Sequence, residues 1–335
     1  MTPRLCPRYC SRTVQLALMP PTPPHPPALG QHLAQDAARL APANYPHRYP
    51  CALRYSDLDG SVVSRVAVAH IFEELRTCLG RDVMGGQRQQ FEHTHGRWHS
   101  LLRSVELEFL VEADPNQPLD MCGGIAAVGR TSHRMAMALF QNGRCMALGE
   151  STNVTIATTG NTRRPEPIPK PLREVMATAL LRNVVVAVSQ PDPAALQAWE
   201  DYPFTHELPT RFADTDAVGH LNNVAVLRYH DNAFMAFQHR MLGRFSRPGD
   251  EGHWRVTRHV VAMPAENFHR QSMFMGLAVR AIQDHHFTLQ QALYQQGKNT
   301  GTALMQVACV DAAGQAMPLP AALREALAPW RIKTS

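Results

Sequence analysis

The sequence predicts an α+β fold that is built twice within one chain of 335 residues. Three observations lead to this prediction. Two similar segments follow each other in the chain, each contains one long helical stretch behind an aspartate-rich corner, and each continues into runs of alternating apolar and polar residues. One helix followed by several such runs is typical of a helix packed against an antiparallel sheet.

The internal repeat is visible as matching short segments at a slowly decreasing separation. RYSDLD, from Arg54, and RFADTD, from Arg211, lie 157 residues apart, LFQNGR and LYQQGK lie 154 apart, and LREVM and LREAL lie 151 apart. A duplication followed by small deletions produces such a series. The predicted organisation is a proline-rich and poorly ordered N-terminal arm (1–40), a first unit (41–178), a linker (179–200) and a second unit (201–330).

The same elements are expected in each unit. A short strand ends at the corner, and a helix follows, at Val66–Leu79 in the first unit and Asn223–Leu242 in the second. Three or four strands complete the unit, because alternation such as VELEFL indicates half-buried strands and QNG or QQG supplies hairpin turns. They are expected at 104–113, 121–132, 134–143 and 145–156, and again at 259–268, 274–283, 287–296 and 302–311.

Composition excludes several classes of protein. A formal net charge of +5 without basic stripes argues against a nucleic-acid binder, and no apolar run is long enough to span a membrane. Seven cysteines without a CxxC pair indicate reduced thiols and a cytoplasmic protein. His93, His95 and His99 have spacings that suit a metal, but no second cluster of ligands matches them, so we expect neither a metal site nor a cofactor.

The corner of the second unit, DTDAVGHLNN from Asp214, holds more functional groups than a helix start needs. The free N–H groups of a helix start form an anion site, and Asp216 placed before it can attack a carbonyl group or deprotonate water. His220 and Asn222 or Asn223 would orient the reacting groups, and Gly219 would let the backbone approach closely.

Each of these residues also has a structural interpretation. Asn222 or Asn223 equally suits a helix cap, and His220 alone is more often a structural histidine. Asp214 is expected to be structural, paired with Arg211.

The order of strand, DxD corner, G-H-x-N-N, long helix and sheet resembles the hotdog-fold thioesterases of the 4-hydroxybenzoyl-CoA and acyl-acyl-carrier-protein type. The resemblance covers most of Tyr45 to Leu327, twice. It implies a tandem double hotdog, in which each copy is an antiparallel sheet wrapped around one long central helix. The two copies would pair as a dimer does, which leaves further dimerisation of the chain open.

The resemblance implies an acyl-thioester hydrolase, with acyl-CoA expected as the substrate in preference to acyl-carrier protein. Asp216 matches the catalytic carboxylate, with His220, Asn222 and Asn223 beside it. Asp59 is the weaker counterpart in the first unit, since SDLDGSVVSRV lacks the GHLNN segment.

With one residue deleted, the first corner follows a family variant whose helix carries E-x-x-R, here Glu73 and Arg76. Asp231, the counterpart of Glu73, would either face a site across the pseudo-dimer or lie on an exposed helix face, which is the commoner case. Ser132 in GRTSH would lie near the pantetheine of the substrate. Two other functions stay open: a catalytically silent protein that binds acyl-CoA or acyl-carrier protein, and a hotdog-type hydratase or dehydratase.

Overall fold

A computed structural model describes residues 32–59, 62–95, 98–159, 162–184, 198–216, 219–247, 250–312 and 314–332. Within these ranges the first unit forms the strands β1 (His47–Cys51), β2 (Leu58–Asp59), β3 (Val62–Val63), β4 (His99–Phe109), β5 (Leu119–Val128), β6 (Ser132–Gln141), β7 (Arg144–Thr159) and β8 (Thr162–Pro165), and the helices α1 (Arg65–His95) and α2 (Lys170–Thr178). The second unit forms the strands β9 (Phe204–Leu208), β10 (His253–Ala262), β11 (Met273–Ile282), β12 (His286–Gln295), β13 (Lys298–Val310) and β14 (Ala316–Met317), and the helices α3 (Asn223–Leu242) and α4 (Ala321–Leu327).

The strand order of the main sheet is symmetrical about its centre. Its strands follow the order β1-β5-β6-β7-β4-β10-β13-β12-β11-β9, and every neighbouring pair is antiparallel. Read outward from the centre, the two halves contain corresponding strands in the same sequence. The units meet where β4 pairs with β10, in a register that joins Glu108 to Arg258 and Ser104 to Ala262. The predicted α+β double hotdog is therefore confirmed.

The two long helices share one apolar core. Phe72 of α1 and Tyr229 of α3 belong to the same buried cluster as Leu107 of β4 and Val261 of β10. Successive residues of a strand face opposite sides, so Glu106, the neighbour of Leu107, faces away from the helices. There it is buried and pairs with Arg258 across the seam, with Nη2 and Oε1 2.6 Å apart. The two units thus pack as one body.

Helix α3 has the bounds that the sequence predicts, whereas α1 is longer. The side chain of Asn222 caps α3 at its start, and Gly243 ends it in the left-handed conformation with φ of 66°. Helix α1 extends to His95 because Met84 is buried in one cluster with Trp98. His93 consequently lies in α1 and His99 begins β4, so these histidines belong to two different elements.

The predicted arm and linker fall partly outside the described residues. Residues 1–31 of the arm and 185–197 of the linker lie outside the described ranges. The described end of the arm packs onto the first unit, since Leu33 is buried and the buried guanidinium of Arg39 pairs with Glu150 of β7. No helix in the described ranges has both the length and the apolar character that crossing a membrane requires.

Candidate active site

The corner of the second unit is a tight loop that leads into α3. The backbone N–H of Asp214 donates to the carbonyl oxygen of Arg211 (3.0 Å), and the N–H of Asn222 donates back to the carbonyl oxygen of Asp214 (2.8 Å). Between these two bonds Thr215 and Leu221 form an antiparallel bridge. The loop therefore returns to its own start before the helix begins.

The corner of the first unit has the same backbone hydrogen bonds in a shorter loop. Asp57 N–H donates to the carbonyl oxygen of Arg54 (3.0 Å), and Ser64 N–H donates to the carbonyl oxygen of Asp57 (2.8 Å). Leu58 and Val63 form the matching antiparallel pair. The loop from Asp57 to Ser64 is one residue shorter than the loop from Asp214 to Asn222. This agrees with the sequence alignment of the two corners, in which the first corner has one residue deleted.

The shared hydrogen bonds define which residues correspond at the helix starts. Ser64 occupies the place of Asn222, and its hydroxyl oxygen accepts from the N–H of Ala67 (3.0 Å) as a helix cap. The first residue of the helix is then Arg65 in the first unit and Asn223 in the second. The two corners therefore present a cation and a neutral amide at the same position.

Asp214 is a structural residue. It is buried and accepts a hydrogen bond from the hydroxyl of Tyr229 (2.5 Å), and it pairs with the guanidinium of Arg228. The predicted pairing with Arg211 occurs through the backbone N–H of that residue (3.2 Å). Both donors lie on α3, so Asp214 ties the corner to the helix.

Asp216 projects from the loop towards solvent, with 36% of its side chain exposed. Its Oδ1 accepts from the backbone N–H of His220 (3.0 Å), and its own N–H donates to the carbonyl oxygen of His220 (2.7 Å). Gly219 permits this turn with φ of +86°, and a side chain there would have no heavy atom within 4 Å. The positive φ explains why glycine is favoured here, and the open space leaves room for the close approach of a bound molecule that the sequence suggested.

His220 lies between two carboxylates. Its Nδ1 is 3.9 Å from Asp216 Oδ2 and 3.4 Å from Glu266 Oε1. The imidazole is largely buried and packs edge-on against the ring of Phe268, with 5.1 Å between the ring centroids. A buried imidazole between two acids can hold a proton or pass one to a bound molecule.

Glu266 belongs to a segment that the sequence assigned to a strand, and that assignment was wrong. Strand β10 ends at Ala262, two residues before Pro264, which has no N–H to donate to a ladder. The segment crosses the corner instead, and Gln295 of β12 holds Phe268 there through two hydrogen bonds (2.9 and 2.7 Å). The repeat would have identified Glu266, because Glu112 lies at the corresponding position of the first unit.

The start of α3 offers free backbone donors beside this corner. Asn222 Oδ1 accepts from the N–H of Val224 (2.7 Å), which makes Asn222 the cap residue. The N–H groups of Asn223 and Ala225 have no hydrogen-bond partner among the described residues. Free N–H groups at a helix start carry partial positive charge and attract an oxygen that gains negative charge.

The remaining predicted residues lie at separate places. Asp231 of α3 pairs with Arg65 of α1 (2.5 Å), so it faces the first corner across the two units. Glu73 pairs with Arg76, which also donates to Asn153 Oδ1 (3.3 Å). Ser132 begins β6, and Asp59 is exposed at the end of β2. In the described ranges no three His, Cys, Asp or Glu side chains cluster as metal ligands do.

Comparison with protein families gives a match in the second unit. Residues 210–327 match the thioesterase-like superfamily, and this range contains the whole second corner. No curated protein matches the chain.

Solved structures resemble both units together. The 12:0-ACP thioesterase from Umbellularia californica superposes with a TM-score of 0.60 at 12% identity, covering 79% of this chain and 97% of the other. An acyl-ACP thioesterase from Bacteroides thetaiotaomicron gives 0.57 at 11% identity, over 78% and 97% of the two chains. The predicted resemblance to the hotdog-fold thioesterases is thereby confirmed. The sequence match covers the second unit, and the similarity in fold covers both units. Together they support a thioester hydrolase.

Proposed function

We propose that the chain hydrolyses acyl-CoA thioesters at the corner of the second unit, with Asp216 as the catalytic carboxylate. The observation that carries the proposal is the position of Asp216: its carboxylate is open to solvent, yet Oδ1 is fixed by the N–H of His220 (3.0 Å). The corner leads directly into a helix start with free N–H groups, and the family match spans this whole region.

The proposed chemistry uses the carboxylate of Asp216 and the free N–H groups at the start of α3. The thioester carbonyl oxygen would lie against the N–H groups of Asn223 and Ala225, which stabilise the negative charge that it gains during attack. Asp216 either removes a proton from the attacking water or adds to the carbonyl carbon itself. In both routes the C–S bond breaks, an oxygen of water enters the acyl group, and the departing thiolate takes up a proton.

His220 and Glu266 extend the role of Asp216. The imidazole lies 3.9 Å from Asp216 and 3.4 Å from Glu266, at the edge of the site and largely shielded from water. In this position it orients the reacting water or supplies the proton that the thiolate needs. The buried carboxylate of Glu266 stabilises the imidazolium form of the ring during that transfer.

The choice of coenzyme A over carrier protein follows the expectation from the sequence. A formal charge of +5 suits the polyanionic nucleotide of CoA and equally suits the acidic face of a carrier protein, so charge does not separate the two substrates. The same acyl group offered on CoA and on carrier protein tests this choice directly. Higher kcat/KM on the carrier protein would contradict it.

The test of the function is release of free thiol from a panel of acyl-CoAs. Asp216→Asn, which keeps the shape and removes the charge, should lower kcat about a hundredfold or more, because a positioned base contributes that much. Glu74→Gln is the matched control, since Glu74 is an exposed carboxylate of α1 that forms no ion pair with the described residues, and it should leave the rate unchanged. Equal rates for the wild type and Asp216→Asn would overturn the proposal.

A further inference from the structure

The corner of the first unit borders a cavity between the two units. It has a volume of about 60 Å³ and adjoins a second cavity of about 190 Å³. Asp59, Arg65 and His253 line both cavities, whereas apolar residues such as Leu139 and Val256 line only the first. The first unit supplies Asp59 and Arg65, and the second unit supplies His253, so this space exists only where the units meet.

Arg65 is held in place by the second unit. Its Nε and Nη2 donate to Oδ1 of Asp231 (3.2 and 2.5 Å), and its guanidinium lies 5.4 Å from the centre of the Phe234 ring. Its Nη1 has no hydrogen-bond partner among the described residues. A guanidinium with a free N–H pair at a helix start is a strong donor for a carbonyl oxygen or an anion.

His253 supplies a second donor from the opposite wall. Its Nδ1 lies 2.9 Å from Oγ of Ser246, and that oxygen also accepts from the N–H of Trp254 (3.0 Å). Because the buried hydroxyl of Ser246 has no other acceptor among the described residues, we assign its proton to the hydrogen bond with His253 Nδ1. The ring proton is then on Nε2, which has no partner among the described residues.

The charge state of His253 agrees with this tautomer. Burial, with a contribution from nearby Arg65, lowers the pKa of His253 to about 4, while Asp59 and Asp250 oppose the shift. The ring is therefore neutral at pH 7. A neutral Nε2–H donates to a carbonyl oxygen without attracting the Asp59 carboxylate as an imidazolium ion would.

From this geometry we infer that the first corner is a second acyl-thioester site, in which Asp59 is the catalytic carboxylate and Arg65 and His253 hold the carbonyl oxygen. The inference rests on the proposed function for the type of substrate, but it uses different residues. Asp59 corresponds to Asp216, and the cation Arg65 replaces the neutral Asn223. The first corner therefore does not need a histidine in its loop, where it has Val62.

Asp59 removes a proton from water while the water oxygen bonds to the carbonyl carbon, and the electron pair of the C=O bond moves to the oxygen between Arg65 and His253. When that pair returns, the C–S bond breaks and the thiolate leaves. The thiolate takes the proton from Asp59, which gives a thiol and a carboxylic acid.

The test compares single and double variants in the same thiol-release assay. The inference predicts that Asp216→Asn retains hydrolysis above the rate without enzyme. Adding Asp59→Asn should lower this residual rate at least tenfold, and so should adding Arg65→Met, while Arg65→Lys should lower it less because it keeps a cation. Asp59 is exposed, so its isosteric replacement leaves the fold intact, and circular dichroism checks this.

The outcomes separate the two claims. If Asp216→Asn alone reduces hydrolysis to the rate without enzyme, the second corner is the working site and the inference about the first corner fails. If Asp59→Asn alone abolishes activity and Asp216→Asn does not, the inference holds and the proposed function at Asp216 fails. If the double carboxylate variant retains the activity of Asp216→Asn, Asp59 has no catalytic role.

Discussion

The two corners have nearly the same backbone and different chemistry. Both return to the helix through the same pair of hydrogen bonds, from Ser64 to Asp57 and from Asn222 to Asp214 at 2.8 Å each. The second corner adds a loop histidine beside a buried glutamate. The first corner has an arginine at the helix start and takes its histidine from the opposite unit.

The difference continues into the core behind each corner. Phe72 of α1 faces Gly149, where an added Cβ would lie 2.9 Å from the Phe72 ring and 3.1 Å from Met137. The corresponding residues of the second unit are His230, Ala303 and Gln291, and His230 Nδ1 lies 2.9 Å from Gln291 Oε1. An apolar contact in one unit is thus a buried polar contact in the other. Duplicated units keep the backbone that defines the fold, whereas the side chains that it presents can diverge.

The largest effect on stability is expected from the anchoring aspartates. Asp214→Ala leaves the buried hydroxyl of Tyr229 and the guanidinium of Arg228 without their acceptor, which should cost about 2–4 kcal/mol of unfolding free energy. Asp57→Ala removes one exposed hydrogen bond, from the N–H of Arg54, and should cost about 1 kcal/mol. Urea denaturation of both variants measures the difference. Equal losses would show that the two corners are anchored alike.

Acid should destabilise the second unit through His230. Burial lowers the pKa of His230 to about 4, although the hydrogen bond to Gln291 opposes this. The unfolded chain therefore binds a proton that the folded chain does not, and stability falls as the pH decreases from about 6.5 to 4, by up to about 3 kcal/mol. Below pH 4 this contribution stays constant. The measurement is the free energy of unfolding across that pH range.

The double variant His230→Phe with Ala303→Gly tests the origin of this acid sensitivity, because it reproduces the pairing of Phe72 with Gly149. The double variant should reduce the slope of unfolding free energy against pH, by an amount equivalent to at most one proton bound on unfolding. His230→Phe alone should clash with Ala303 and lose about 1–3 kcal/mol at pH 7, where His230 is neutral in both the folded and the unfolded chain. An unchanged slope in the double variant would assign the acid sensitivity to other buried histidines, such as His133.

Much of the fold follows from local features of the sequence. The bounds of α3 could be predicted because Asn222 and Gly243 are a suitable cap and stop for a helix, and both signals lie in the chain itself. The end of α1 could not, because Gly80 and Gly85 resemble stop signals. The helix continues past them since Leu79 and Met84 pack under Trp98, a contact that only the folded chain provides.

The residues of the candidate site also differ in whether local sequence could place them together. Asp216, His220, Asn222 and Asn223 lie within one short segment, so a motif was enough to indicate that they lie together at one corner. Glu266 reaches the corner from a loop after β10, and its position depends on where that strand ends. The approach of His253 to Arg65 depends on the register of β4 against β10, which aligns the two units. No pattern within one unit contains that information.

The smallest effect is expected at the turn of the second corner. Gly219 has φ of +86° and open space around its Cβ position, so Gly219→Ala adds backbone strain without a steric clash. It should cost about 1 kcal/mol of unfolding free energy. Hydrolysis should fall about tenfold or more, because the loop sets the distance from Asp216 to His220.

Gly86→Ala is the matched control for this change. Gly86 also has open space around its Cβ position but lies within α1, where alanine should stabilise the helix by about 0.5–1 kcal/mol. Thermal unfolding should therefore show a loss of stability for Gly219→Ala and a gain for Gly86→Ala. The value of kcat/KM should fall only for Gly219→Ala. If Gly219→Ala stabilises the protein as Gly86→Ala does, the second corner does not depend on a left-handed residue.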